Sequence, residues 1–304
     1  MQRGRSSQTA IAAAFRAIHA YGLPGEAIHE DPHAIPLIGV EEISELVDLM
    51  RAVGLPAFES TCAYFALRHR FAEDLLIDAI TQGTRQVVVL GAGLDTFALR
   101  HPALVGELSL FEVDHPDTQA WKHERLAATG LTSPGVVYVA VDFERERVAD
   151  RLDDAGLRHD EPTFYTWLGV SQYVDRRAAS ETFSLVGAGP TGSQLVLDIV
   201  LSSTEVDPDA QRVSDAYAAA SDERGEPWIS TNALAELTSD LRAGGLTGVR
   251  PLAPEDAARR YYGGQPAGVV PPSAWRLVHT LVWFLSGRRQ PGAPPVPRSR
   301  PICD

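Results

Sequence analysis

The 304-residue sequence predicts a doubly wound α/β fold, with a seven-stranded sheet between helices, a helical N-terminal cap and an inserted lid. Two observations carry this. From residue 86 onward, short apolar runs alternate with helix-period segments at spacings of roughly 25–30 residues, the pattern of parallel strands joined by right-handed crossovers. A composition of 44% hydrophobic and 22% charged residues leaves ample core for one large domain and no compositional sign of wholesale disorder.

Residues 1–83 read as the cap. Over 41–53, Ile43, Leu46, Val47 and Met50 fall at helix spacing and Gly54 is a natural stop. Over 58–80, Cys62, Phe65, Leu75, Leu76 and Ile80 mark a longer helix. The main domain, 84–286, begins with the apolar run 87–90, which suits a strand buried on both faces and ends in Gly91-Ala92-Gly93. Further strands are expected at 108–114, 136–142, 163–170 and 194–200, with helices at 117–129, 144–155 and 175–186 between them. The polar segment 202–225, helical around 210–220, follows the fifth strand and reads as the lid. A helix at 232–242 and strands at 246–252 and 276–285 complete the domain. Residues 287–304, rich in Pro, Arg and Gly, read as a flexible tail.

The net charge of −13 disfavours nucleic acids and anionic membranes as partners. No segment approaches the roughly 20 apolar residues of a membrane span. The N-terminal apolar run 10–15 is too short for a signal-peptide core, and the two cysteines, Cys62 and Cys303, make no disulfide framework. A cytoplasmic setting is therefore expected. Lys122 is the only lysine against 26 arginines, a bias that a GC-rich genome imposes.

The strongest chemical signal is the strand at 87–90 with Gly91-Ala92-Gly93-Leu94-Asp95-Thr96. Glycines there let a backbone approach a ligand, and the next helix offers free N–H groups. Glu112 and Asp114 follow Gly91 by 21 and 23 residues, at the end of the second strand. A carboxylate at that place can accept both hydroxyls of a ribose. A nicotinamide dinucleotide is disfavoured, because its fingerprint wants a third small residue where Thr96 stands. Asp142 at the end of the third strand reads equally as an adenine anchor, with Phe143 beside it, or as the N-cap of the next helix.

Further residues carry a family resemblance: Thr9-Ala10 and Arg16-Ala17, Asp31-Pro32 with Ala34, Arg68-His69-Arg70-Phe71, the loop 91–96 with Arg100, and Phe111-Glu112-Val113-Asp114-His115-Pro116. Val141-Asp142-Phe143, Leu168-Gly169-Val170 with Tyr173-Val174, Leu197-Asp198, Gly244-Gly245-Leu246 and Arg260-Tyr261-Tyr262 extend it over nearly the whole chain. In these the chain resembles the leucine carboxyl methyltransferase-like family, whose bacterial branch includes many O-methyltransferases. The resemblance implies a Rossmann-like class I methyltransferase sheet and S-adenosyl-L-methionine as cofactor. It implies that Arg68 pairs with the methionine carboxylate, Gly91 and Gly93 lie under methionine and ribose, Asp114 takes the ribose hydroxyls, and Asp142 and Phe143 meet adenine. Read without it, Arg68 is a surface arginine on a helix.

Two positions depart from the family pattern. Phe97 stands where Arg is common, and Leu168 where protein-methylating members carry Glu. The second departure leaves a more apolar site and points to a small-molecule acceptor, a carboxylate or acidic hydroxyl of secondary metabolism, in place of a protein terminus. Tyr21, Tyr173 and Tyr261, with Tyr64 and Tyr262, are candidates to line the acceptor pocket, although tyrosines at core edges are equally ordinary. His101, His115 and His123 lie near the cofactor region as candidate bases. His29 and His33 flank Pro32 and cannot share a helix face, so no metal site is expected. The competing functional readings are a nicotinamide-dependent oxidoreductase and a binding protein that holds the cofactor without transferring its methyl group.

Overall fold

The computed structural model describes residues 8–22, 27–39, 43, 44, 48, 58–143, 145–263 and 273–282, with side chains in the first helix for 13–20. The expected helix over 41–53 lies almost wholly outside these residues, and the 287–304 tail wholly so. Seven strands form one sheet: β1 (Gln86–Leu90), β2 (Ser109–Asp114), β3 (Val136–Ala140), β4 (Thr163–Trp167), β5 (Gln194–Val200), β6 (Thr247–Pro251) and β7 (Trp275–Leu281), in the order β3-β2-β1-β4-β5-β7-β6. Strand residues alternate between two cores. Val87, Leu110, Phe164 and Val196 enter one core, while Val88, Phe111, Tyr165 and Leu197 enter the other. Continuous apolar strands are required because both faces are covered.

The first core is closed by the helices Gln8–Gly22 and Phe58–Thr81. Ala13, Ala14 and Ala17 of one, and Ala63 and Ala66 of the other, are buried, and such small side chains let two helices approach closely. The second core is closed by the helices Arg176–Gly187 and Leu234–Ala243 through Phe183, Leu237 and Leu241. No helix among the described residues is long and apolar enough to cross a membrane.

β1 through β5 pair in parallel, as the alternation predicts. β7 does not. It inserts between β5 and β6 and runs antiparallel to both. Apolar pattern and spacing carry no information on the direction in which a late strand rejoins a sheet, so they left the direction of the last two strands open. β4 stops at Trp167, short of the predicted 170, because Gly169 takes a φ of 73° that turns the chain. The helix expected at 144–155 is shorter, Val148–Asp154, and its N-cap position is Arg147.

β1 is the switch point of the sheet, with β2 on one side and β4 on the other, and the crevice for a ligand in such sheets opens beyond the strand ends there. The helix Pro208–Asp222 lies over this crevice. Asp207 caps it by accepting from the Asp209 and Ala210 amides, and Ala210, Val213, Tyr217 and Ala220 form its buried stripe.

Candidate active site

A cleft of about 670 Å³ opens at the carboxyl ends of β1, β2 and β4, within the roughly 300–1,000 Å³ usual for small-molecule sites. Its floor is the loop after β1. The Gly91 and Ala92 amides both donate to Val113 O, at 2.8 and 3.1 Å, which ties the loop to β2. Gly91 has a φ of 69°, and a Cβ there would lie 2.2 Å from Val170 Cγ2, so only glycine fits.

Glu112 and Asp114, alternatives in the sequence, are separated by the fold. Asp114 lines the cleft, its Oδ2 accepting from the Gly93 amide (2.5 Å) and its Oδ1 from that of His115 (2.7 Å). Burial raises its pKa, and these backbone hydrogen bonds oppose the shift. Glu112 is 2% exposed and ion-paired with Lys122, whose Nζ also donates to Asp95 O at 2.8 Å. The one lysine of the chain therefore sits beneath the glycine loop and holds it, a role that its rarity did not reveal.

Asp142 and Phe143 line the cleft beyond Asp114. The N-cap alternative for Asp142 falls, since the helix begins six residues later; its carboxylate lies 3.6 Å from Arg145. Arg68 reaches in from the long helix and is 6% exposed, not the surface arginine of the bland reading. Its Nη1 contacts Asp198 Oδ2 at 3.4 Å and its guanidinium lies 4.2 Å from the centre of the Phe65 ring. Asp198, on β5, is itself anchored by the Gly169 amide (2.5 Å) and the Tyr64 hydroxyl (3.3 Å). A Cβ on Gly169 would lie 2.7 Å from Arg68 Nη1. Burial lowers the Arg68 pKa, opposed by Asp198, and a guanidinium stays charged. Its Nε is buried without a hydrogen-bond partner, and the side chain lines the cleft as a cation able to meet an anion such as the methionine carboxylate.

The tyrosines divide. Tyr173 lines the cleft, its hydroxyl 3.2 Å from Trp228 Nε1 and 3.3 Å from Ser221 Oγ. Tyr261 is not brought there: its hydroxyl donates to Asp74 (2.9 Å) beside Arg70 and Arg260, where two basic neighbours and an acid hold it at the surface. The side chain of Tyr21 lies outside the described residues. Of His101, His115 and His123, His115 lines the cleft, where its Nδ1 accepts from the Asp117 amide as an N-cap. His101 lies 3.6 Å from Glu73, and His123 packs on Tyr138. Phe97, at the first departure from the family pattern, is buried.

Sequence reasoning missed two groups. His69 and Arg16 line the cleft, and Arg16 joins Asp31 (3.1 Å), His69 Nε2 (3.1 Å) and Leu94 O (3.1 Å). A guanidinium only donates, so His69 Nε2 accepts, and in the neutral ring its proton sits on Nδ1. Trp228 and Trp275 also line the cleft; tryptophan numbers only 5 in the chain, and its placement just after the segment 202–225 and in the last strand was the available signal.

Comparison with known proteins agrees with this architecture. The model of the family described as leucine carboxyl methyltransferase matches residues 9–187. A candidate S-adenosyl-L-methionine-dependent methyltransferase of Bacillus subtilis (strain 168), YktD, is 35% identical over 219 residues, 70% of either chain. One from Parafrankia sp. (strain EAN1pec) is 41% identical over 138 residues, 45% of this chain and 44% of the relative. The fold is shared with a DUF574-family protein of Streptomyces avermitilis MA-4680, at TM-score 0.55 and 19% identity over 90% of this chain and 97% of that one. A candidate methyltransferase of Thermobifida fusca YX gives TM-score 0.53 and 17% identity, covering 90% and 94%. The chain belongs to the leucine carboxyl methyltransferase family and is an S-adenosyl-L-methionine-dependent methyltransferase.

Proposed function

We propose that the chain methylates an oxygen of a small, largely apolar molecule bearing a carboxylate or an acidic hydroxyl. One observation carries this reading: the cleft that holds Gly91, Asp114 and Arg68 continues into a region lined by Leu168, Tyr217, Trp228 and Trp275 beneath the segment 208–229. Leu168 adds an apolar surface where protein-methylating members of the family carry Glu. The net charge of −13 further disfavours polyanionic acceptors.

The cofactor supplies an electrophilic methyl group on a sulfonium. In this proposal Arg68, which lines the cleft, takes the methionine carboxylate. Asp114 takes the ribose hydroxyls, Asp142 and Phe143 meet adenine, and the positive-φ turn at Gly91 lets the backbone lie against the ligand. The protein's contribution to the transfer is alignment and exclusion of water, which can lower a barrier by roughly 7–11 kcal/mol. A carboxylate acceptor is already ionised at neutral pH and needs no base. That agrees with a cleft whose His69 Nε2 is engaged by Arg16 and whose His115 Nδ1 is engaged by an amide.

The test incubates the protein with labelled S-adenosyl-L-methionine and a panel of aromatic acids, phenols and C-terminal peptides. Base-labile label on the acids, with a chemical step nearly flat from pH 6 to 9, is the expected result for ester formation. Base-stable label on the phenols, with a rate that rises with pH, selects the hydroxyl acceptor. Labelling of peptides alone overturns the small-molecule reading.

A further inference from the structure

Past Arg68 the cleft changes from polar to aromatic. Tyr64 and Trp275 stack with centroids 5.5 Å apart and planes at 26°. Tyr217 meets the Trp275 ring edge-on at 5.6 Å and 79°, and Trp228 meets it at 6.4 Å and 77°. The four rings come from the helix Phe58–Thr81, the helix Pro208–Asp222, the segment after it and β7, and all line the cleft.

Core packing accounts for three of them. Tyr64, Tyr217 and Trp275 are buried and touch one another or Phe15. It accounts only in part for Trp228, which packs against that core yet stays half-buried, and not for Ile229 beside it, which is 58% exposed and also lines the cleft. Both are held in place from outside the ring system. Trp228 Nε1 donates to the Tyr173 hydroxyl at 3.2 Å, and the Ile229 amide donates to Gln172 O at 2.8 Å. An indole N–H withdrawn from water needs a partner, and Tyr173 supplies one at the ring's edge. The orientation of the ring is thereby set while part of its surface stays open to the cleft.

We infer that the acceptor is a planar aromatic molecule carrying the oxygen that is methylated, and that Trp228, oriented by Tyr173, selects it. This rests on the small-molecule methyl-transfer reading above. Trp228 and Tyr173 position the acceptor and exchange no proton or electron pair with it. Aromatic wall and aromatic guest gain offset or edge-to-face contacts that a saturated guest of equal area cannot make.

The experiment titrates the full chain, saturated with S-adenosylhomocysteine, with 2-naphthoic acid and with decahydro-2-naphthoic acid, followed by calorimetry. The aromatic acid should bind about tenfold more tightly. Trp228→Leu should bring the two acids within about twofold, and Trp228→Phe should restore most of the preference. Tyr173→Phe should weaken naphthoate binding and leave the S-adenosylhomocysteine affinity of the folded variant unchanged. Equal affinity of the wild type for both acids, failure to bind either, or a preference that survives Trp228→Leu overturns the inference. The underlying reading fails separately. A naphthoate preference with no labelled methyl product from any small acid or phenol rejects methyl transfer to small molecules and leaves the aromatic site standing. Esters formed from both acids at equal KM do the reverse.

Discussion

Gly91, Gly93 and Asp114 on one side of the cleft face Tyr217, Trp228 and Trp275 on the other, and the two sides are held in different ways. The first side is backbone. Amides of the glycine loop donate to Val113 O and to Asp114, and Lys122 with Glu112 supports the loop from below. The second side is side-chain surface assembled from separate stretches of chain and clipped by the Tyr173 hydroxyl. A backbone site suits a ligand common to a whole family, since it survives most substitutions. A wall of rings can be retuned one residue at a time. The family match over residues 9–187 contains the first side, while Tyr217, Trp228 and Trp275 lie beyond it.

The largest expected effect tests that contrast directly. Lys122→Ala leaves Glu112 buried without its counter-charge and should cost about 3–5 kcal/mol in urea unfolding. Trp228→Leu on the facing side trims a half-buried ring and should cost less than about 1.5 kcal/mol. A Lys122→Ala loss no greater than that of Trp228→Leu breaks the distinction between a supported loop and a replaceable wall.

Ligand binding sharpens it. Asp114→Ala should weaken S-adenosyl-L-methionine and its demethylated product alike by about 2–3 kcal/mol, through lost charge-assisted bonds to ribose. Arg68→Ala should weaken S-adenosyl-L-methionine more than adenosine, which has no carboxylate to pair. Equal losses for both ligands in calorimetry would assign Arg68 to holding Asp198 and the fold instead.

The smallest effect concerns acid. His19, on the first helix, accepts from the Ile28 amide at 3.3 Å, and burial lowers its pKa to about 4. An unfolded histidine titrates near 6.5, so below that pH the unfolded chain binds the proton that the folded chain refuses. The contribution is present above pH 6.5 and is lost as pH falls towards 4, at up to about 1.4 kcal/mol per pH unit. Replacing His19 by Gln should flatten the fall in urea midpoint between pH 6.5 and 5, and an unchanged slope would refute this role.

Much of the first side was legible before any coordinates, because its signals are local. Strands of β-branched residues, a glycine turn directly after one of them and an acid at the end of the next all lie within a short stretch of chain. Alternation could not choose between Glu112 and Asp114, however: two residues apart on a strand, they point to the same face. The family resemblance named Asp114; in the structure Lys122, ten residues beyond Glu112, claims the inner acid. Arg68 needed the family resemblance, since a lone arginine on a helix carries no sign of burial.

Through the family resemblance the sequence named the cofactor, and by itself it determined the seven strands, the sheet wrapped by helices and the glycine loop with an acid at the end of the next strand. These depend on the period of a strand, the φ angles open to glycine and the reach of neighbouring residues. Only the tertiary structure decided the reversed direction of β7, the burial of Arg68 against Asp198, the removal of Tyr261 to Asp74 and the meeting of Tyr64, Tyr217, Trp228 and Trp275. Those contacts join residues more than a hundred positions apart in some cases. No local preference encodes such a pairing; it exists only once the sheet has brought distant segments to the same end of the molecule.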